Sequence, residues 1–321
     1  MAGRPRKTRV LTFWSSAETQ PLIAPNPWLA LTARMTFHLH VGAHKTASTH
    51  LQATLRKNRA VLADAGIAWH GPDDVRALVK TDQGASARMG AVPSLRRFRA
   101  MQRLAQLDAN ANRIVASDEN SLGRCAEIFR SHALYPTAYD RMRLWRKLSS
   151  RRPTTVYLAL RDYGAFFSGA YIQAIRNAAF FEPGAADKVA LVDAARGWVD
   201  VVADIRRAMP NARTIVWRYE DYEAMRSDLI LRLTGHALAP VHRRPMATPS
   251  AAAFAAAAAA RKPGEVLSAH GLTSATQAHP VTTDSPCFSL WTVDEARRLS
   301  ARYREDVERL RTDLGEDFLR V

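Results

Sequence analysis

The sequence predicts a three-layer α/β domain, a central parallel sheet of four to five strands flanked by helices, and three observations lead there. Short runs rich in β-branched and aromatic residues alternate four times with segments of helical period. That alternation calls for parallel strands joined by right-handed crossovers, with helices on both faces. Polar and charged residues follow several of these runs, where an open parallel sheet holds its ligands. The chain has 321 residues, 47% of them hydrophobic, enough for one large core.

In chain order, Met1 to Arg34 stands apart. It opens on MAGRPRKTR and carries only short apolar pieces, so it reads as a disordered extension or a misassigned start, with residues 35–321 as the folded domain. Neither a signal peptide nor a spanning helix is recognisable in it.

The first strand, Phe37 to Val41, breaks at Gly42 and resumes at Thr46 with a helical pattern carrying Leu51, Leu55 and Leu62 on one face, closing near Ala65-Gly66. A strand, a tight turn and a helix N-terminus form an anion cradle. The first amides of the helix lack intrahelical partners, and the helix dipole adds positive charge there. Gly42 allows close backbone approach, Lys45 brings a full charge, and Thr46, Ser48 and Thr49 bring hydroxyls. The turn is P-loop-like, and a phosphate or sulfate is the expected guest.

Gly66 to Trp69 reads as a short strand, followed by His70-Gly-Pro and a polar, helix-ambiguous stretch to Gly90. Leu95 to Leu107 has the period of an amphipathic helix with an arginine-rich outer face. Arg113 to Asn120, RIVASDEN, is a second buried strand whose end carries Asp118 and Glu119 towards the edge that holds Lys45. Asp118 suits a helix cap, and Glu119 suits a proton acceptor beside an anion site. After a helix through Tyr139, Met142, Trp145 and Leu148 comes the strand Thr155 to Leu160, with Arg161 at its carboxyl end. The helix behind it, with Phe166, Phe167, Ala170, Tyr171, Ala174 and Ile175 on one face, carries Ser168.

Trp198 to Met209 forms a further helix, and Thr214 to Trp217 a strand ending in Arg218-Tyr-Glu-Asp221, whose acids are expected to cap the helix that ends at Gly235. Residues 236–290 read as a variable region, with an alanine helix at Ala251 to Ala260 and a polar loop at Gly264 to Ser285. The segment 294–314 is a packing helix through Leu299, Tyr303, Val307, Leu310 and Leu314.

The order Gly-x-x-Lys-Thr turn, strand ending in acids, then strand-Arg…Ser resembles the sulfotransferases that use 3′-phosphoadenosine 5′-phosphosulfate (PAPS), in particular bacterial members with a Gly-x-His-Lys-Thr turn. The resemblance spans roughly Phe37 to Tyr222. It implies that Gly42, Ala43, His44, Lys45, Thr46, Ala47, Ser48 and Thr49 bind the 5′-phosphosulfate, with Ser48 where the family has threonine. It implies that Arg161 and Ser168 take the 3′-phosphate, and that Arg243 or Arg244 reaches back to it. The family separates that arginine and serine by eight positions. Here they are seven apart, with Gly169 at the eighth.

Catalysis would fall to Lys45 and a base, Glu119 first, with His44, Asp118 and His70 in reserve. PAPS would be the cosubstrate, no metal would be needed, and the acceptor stays open, with saccharides and other polyanions among the candidates.

The net charge of +16 fits such polyanionic partners. Two distant cysteines, Cys125 and Cys287, suggest neither a zinc site nor a disulfide framework, and a reducing cytoplasm is the expected setting. A nucleotide kinase or NTPase is the rival enzyme class, but its Gly-x-x-x-x-Gly-Lys turn would need glycine at Leu39 and His44. A nucleic-acid-binding protein accounts for the charge and the GRPRK tail, but no aromatic-and-basic recognition module accompanies them.

Overall fold

Alternating side chains place apolar residues on both sides of every strand, and the chain folds accordingly. A computed structural model of the protein describes residues 35–83 (78–83 by backbone alone), 111–149, 152–177, 184–241, 248–261 and 267–321. The readings made for Met1 to Arg34, for Leu95 to Leu107, and for Arg243 and Arg244 lie outside the described residues.

The strands β1 (Thr36–His40), β2 (Ile67–His70), β3 (Arg113–Ser117), β4 (Thr154–Leu160) and β5 (Ala212–Arg218) form one all-parallel sheet in the order β2-β3-β1-β4-β5. Its centre is β1, with Phe37 opposite Ile114 on one side and Thr154 on the other. The chain leaves β1 towards β2 and leaves β4 towards β5. The crevice where the connections diverge therefore opens between the carboxyl ends of β1 and β4, the usual ligand position in such a sheet.

Period-two alternation sorts the core into two layers. Phe37, Leu39, Ile114, Val156 and Leu158 face one layer, covered by α4 (Cys125–Ser131), α5 (Ala138–Leu148), α6 (Tyr163–Arg176), α8 (Trp198–Ala208) and α12 (Val293–Leu314). Val115, Tyr157, Ala159, Ile215 and Trp217 face the other, covered by α1 (Ser48–Lys57), α2 (Arg59–Asp64) and α9 (Tyr222–Thr234). The remaining helices are α3 (Pro72–Gln83), α7 (Ala185–Val192), α10 (Ala251–Ala259) and α11 (Ala269–Ala278). No described helix is long and apolar enough to cross a membrane. Both cysteines are free thiols, Cys125 buried and Cys287 exposed.

Several local expectations change. The helix read from Thr46 to Ala65 is two helices, broken at Asn58, whose side-chain amide donates to Thr54 O at 2.9 Å. The stretch after His70, ambiguous in the sequence, resolves as the helix Pro72–Gln83, with Asp73 and Asp74 in its first turn where they suit the dipole. The loop expected over Gly264 to Ser285 contains α11, started by the Ser268 hydroxyl accepting from Gly271 N. Glu220 and Asp221 do not cap α9. Glu220 accepts from Asp162 N at 3.0 Å and from Tyr303 Oη at 2.7 Å, joining the end of β4 to α12, while Asp221 pairs with Arg218.

The two histidines of β1 point into the second layer. His38 meets Tyr157 Oη at 3.0 Å, and His40 meets Ser117 Oγ at 2.9 Å while stacking near Trp217. Burial pushes both rings down to about 4, with Arg113 adding to the effect at His38. They resist protonation in the fold but not in the unfolded chain. The stability they contribute is whole above about pH 6.5 and drains as pH falls towards 4, by about 3 kcal/mol per histidine at most. Urea unfolding at pH 7, 5 and 4 should show this loss, and His40→Asn should flatten it; an unchanged pH slope in that variant would remove His40 from the account.

Candidate active site

The cradle is wound tighter than the sequence suggests. The β1 to β4 ladder continues past the strand, with Ala159 N donating to Gly42 O at 2.7 Å and Ala43 N to Ala159 O at 3.3 Å. Gly42 has φ +96°, and a Cβ there would lie 3.0 Å from Glu119 Cβ, so only glycine lets the β1 turn pass the β3 turn. Beyond it Lys45 and Ala47 are left-handed, at φ 61° and 64°, a conformation that costs a non-glycine residue of order 1 kcal/mol or more.

What holds this turn is the Ala43 carbonyl, which accepts from Thr46 Oγ1 at 2.7 Å and from Ser48 Oγ at 3.0 Å. Those two hydroxyls, expected as ligand donors, are instead the clamps of the loop. The amides of Ala43 and His44 are also spent, on Ala159 O and on Tyr135 Oη at 3.0 Å. Donors for an anion therefore come from the amides of Thr46 to Thr49, ahead of the first bonds of α1, made by His50 and Leu51 to Ala47 O. Of the cradle hydroxyls, that of Thr49 is on an exposed residue.

Arg161, at the carboxyl end of β4, donates through Nη1 to the Lys45 carbonyl and lies over the Tyr219 ring, 4.4 Å from its centre. Its own carbonyl is fixed by Trp198 Nε1 at 2.9 Å. One of the five guanidinium N–H groups thus ties the second strand end to the cradle, and the fork sits at the crevice. The stem of Lys45 runs across α6 at Gly169, where a Cβ would meet Lys45 Cγ at 3.1 Å and Cε at 3.2 Å. Burial, then Arg176 and then Arg161 pull the Lys45 ammonium down to about 8.

Arg176 was not singled out in the sequence. It follows Gly169 by seven positions, two helical turns on the same face, which is the signal that finds it once Gly169 is known to lie against Lys45.

Ser168 is not part of the cradle surface. Its hydroxyl donates to Gly164 O at 2.8 Å and accepts from Leu290 N at 3.1 Å, which pins the 289–291 segment against α6.

The acids form a separate compartment. Arg76 of α3, which the sequence reading passed over, contacts Asp118 at 2.9 Å and Glu119 at 3.1 Å. Asp118 also accepts from Asn120 N, the capping role expected of it, and burial followed by Glu119 pushes its carboxyl up to about 6. Burial also disfavours the Glu119 carboxylate, but the His44 ring, the Gln52 amide at 3.0 Å and Arg76 outweigh it and hold the group below the usual carboxylate range.

His44, the reserve base, has both ring nitrogens occupied within the protein. Burial lowers its pKa while Glu119 acts against that shift, and the nitrogens are engaged by Tyr135 Oη at 2.8 Å and by the Asn120 side-chain amide at 3.1 Å, so the ring is wedged between the turn and its neighbours. His70 ends β2, two strands from β1 at the sheet edge. His50, on the first turn of α1, is buried between Tyr222 Oη at 2.8 Å and Val241 O at 2.7 Å.

No protein-family model matches the chain, and no curated protein matches it. Among solved structures, a crystal structure of a sulfotransferase from Alicyclobacillus acidocaldarius is similar, with a TM-score of 0.43 and 13% identity over 88% of this chain and 96% of that one. What the site can do follows from its side chains, not from this likeness.

Ser168→Ala should leave anion affinity within about twofold while lowering stability by about 1 to 2 kcal/mol, because Leu290 N loses its acceptor. Calorimetry and urea unfolding of the same variant separate the two effects, and a tenfold loss of anion affinity at unchanged stability would return Ser168 to the site.

Proposed function

We propose that the protein is a sulfotransferase that moves the sulfuryl group of PAPS to a hydroxyl or amine of an acceptor. The observation that carries this reading is the convergence of Lys45 and Arg161 at the β1/β4 crevice, joined by the Arg161 bond to the Lys45 carbonyl. A bisphosphorylated nucleotide has two anionic ends, and two cations at adjacent strand ends, beside the amides of α1, suit it. Gly42 allows the approach, and the sequence order of turn, acids and arginine is the one that resembles this enzyme class.

In the reaction the acceptor oxygen or nitrogen forms a bond to sulfur as the bond between sulfur and the 5′-phosphate oxygen breaks. The electron pair of that bond leaves on the phosphate. Lys45 and the amides of Thr46 to Thr49 stabilise the charge developing there, fixed in advance by the Ala43 clamp. Glu119 takes the acceptor proton. Its carboxylate stays ionised at neutral pH and is held in place at both oxygens, by Arg76 and by Gln52. Arg243 or Arg244 keeps the part at the 3′-phosphate that the resemblance implies.

The kinase or NTPase reading needs an acid at the end of β3 to serve a magnesium ion, and Asp118 is instead engaged by Arg76 at 2.9 Å. Calorimetry should find metal-independent binding of adenosine 3′,5′-bisphosphate, weakened at least tenfold in Lys45→Ala and in Arg161→Ala. A preference for ATP–Mg²⁺ or for duplex DNA would overturn the proposal. Glu119→Gln should bind the nucleotide within about twofold of wild type yet lose about 10²- to 10⁴-fold in transfer rate. Full turnover in that variant would remove Glu119 as the base.

A further inference from the structure

α6 is 14 residues long, about 20 Å at 1.5 Å per residue, and it lays out the charges of the site along its axis. Arg161 stands just before its start and grips the Lys45 carbonyl, and the Lys45 stem crosses Gly169 near its middle. Arg176 ends it, two turns beyond Gly169 on the same face, and long helical side chains lean back towards the N-terminus, here towards Lys45. After burial, Arg176 is the strongest influence holding the Lys45 ammonium down, ahead of Arg161. Lys45 thus lies between two arginines.

Arg176 is also incompletely satisfied. Its Nη1 is buried without a hydrogen-bond partner among the described residues. Burial lowers its pKa, and among the described residues no carboxylate opposes that cost. Arg76, buried to a similar degree, has Asp118 and Glu119 to compensate. A cation in the last turn of a helix is favoured by the dipole, which accounts for an arginine at this position. The dipole does not account for a buried guanidinium N–H without an acceptor among the described residues, which costs free energy unless a ligand meets it.

The donor nucleotide uses Lys45 and Arg161 in the sulfuryl-transfer reading, and the present inference rests on that reading. We infer that Arg176 holds an oxyanion of the acceptor, a carboxylate or a sulfate, on the side of Lys45 away from Arg161. The acceptor is therefore itself acidic, and the +16 charge of the chain favours its approach.

The test uses the full chain saturated with adenosine 3′,5′-bisphosphate, titrated calorimetrically with inorganic sulfate and, separately, with glucuronate. Wild type should bind at least one of the two, and which one tells whether the group is a sulfate or a carboxylate. Arg176→Ala should weaken that binding at least tenfold, Arg176→Lys should restore part of it, and bisphosphate affinity should stay within twofold in both. Equal ion binding in Arg176→Ala, no ion binding by wild type, or a loss of bisphosphate affinity matching that of Lys45→Ala would each overturn the assignment. Repeating the ion titrations without nucleotide separates the two readings. A wild type that ignores bisphosphate but loses its ion in Arg176→Ala would sink sulfuryl transfer and leave Arg176 as an oxyanion site.

Discussion

The Ala43 carbonyl, gripped by the hydroxyls of Thr46 and Ser48, is the point on which the active end of the molecule depends. It fixes a left-handed turn at Lys45 and Ala47 that neither residue would adopt alone. That turn aims the first amides of α1 outward, turns the Lys45 carbonyl towards Arg161, and sends the Lys45 side chain over α6. The β1 to β4 ladder supplies the other half of the constraint, because Gly42 and Ala43 are still hydrogen-bonded to Ala159 when the turn begins. Cradle and sheet are in this sense one rigid unit, and charge stabilisation by such a unit costs little reorganisation during reaction.

Around that unit the charges are sorted. Asp118 and Glu119 sit at the end of β3 with Arg76 as their counter-ion, while Lys45, Arg161 and Arg176 lie on the β4 and α6 side. Gly42 is where the two compartments touch, its backbone against the Cβ of Glu119. Arg76 compensates both acids on their own side of the turn, and the Glu119 carboxylate is held below its usual range there.

The sheet was legible in the sequence because each strand is buried on both faces and carries a continuous apolar or aromatic run. Lys45, Arg161, Asp118 and Glu119 were legible because each sits within a few residues of a strand end. Arg76 and Arg176 were not, since what brings each to the candidate site is a neighbour far off in the chain: Asp118 for one, Lys45 for the other. His38 and His40 fall within the strand read at Phe37 to Val41, but their partners Tyr157 and Ser117 belong to neighbouring strands. Glu220 read as a cap because it precedes a helix, and the competing contacts from Asp162 and Tyr303 depend on packing that no local pattern encodes.

The shortened Arg161 to Ser168 spacing shows how one residue of register changes a role. A step of one position on a helix rotates a side chain by about 100°, so a serine seven places after the arginine cannot face where one eight places after it would. The eighth position here faces Lys45, whose stem fills the space a Cβ would need, and glycine occupies it. Ser168, turned aside, satisfies Gly164 O and Leu290 N instead and fastens the segment that leads into α12. The inward turn of Ser168 and the room that Gly169 leaves for a buried lysine therefore follow from one register. The same helix thereby faces the stem of Lys45 at its middle, follows Arg161 at its start and ends in Arg176, whose Nη1 has no hydrogen-bond partner among the described residues, so the packing that admits the lysine also lines up the three cations.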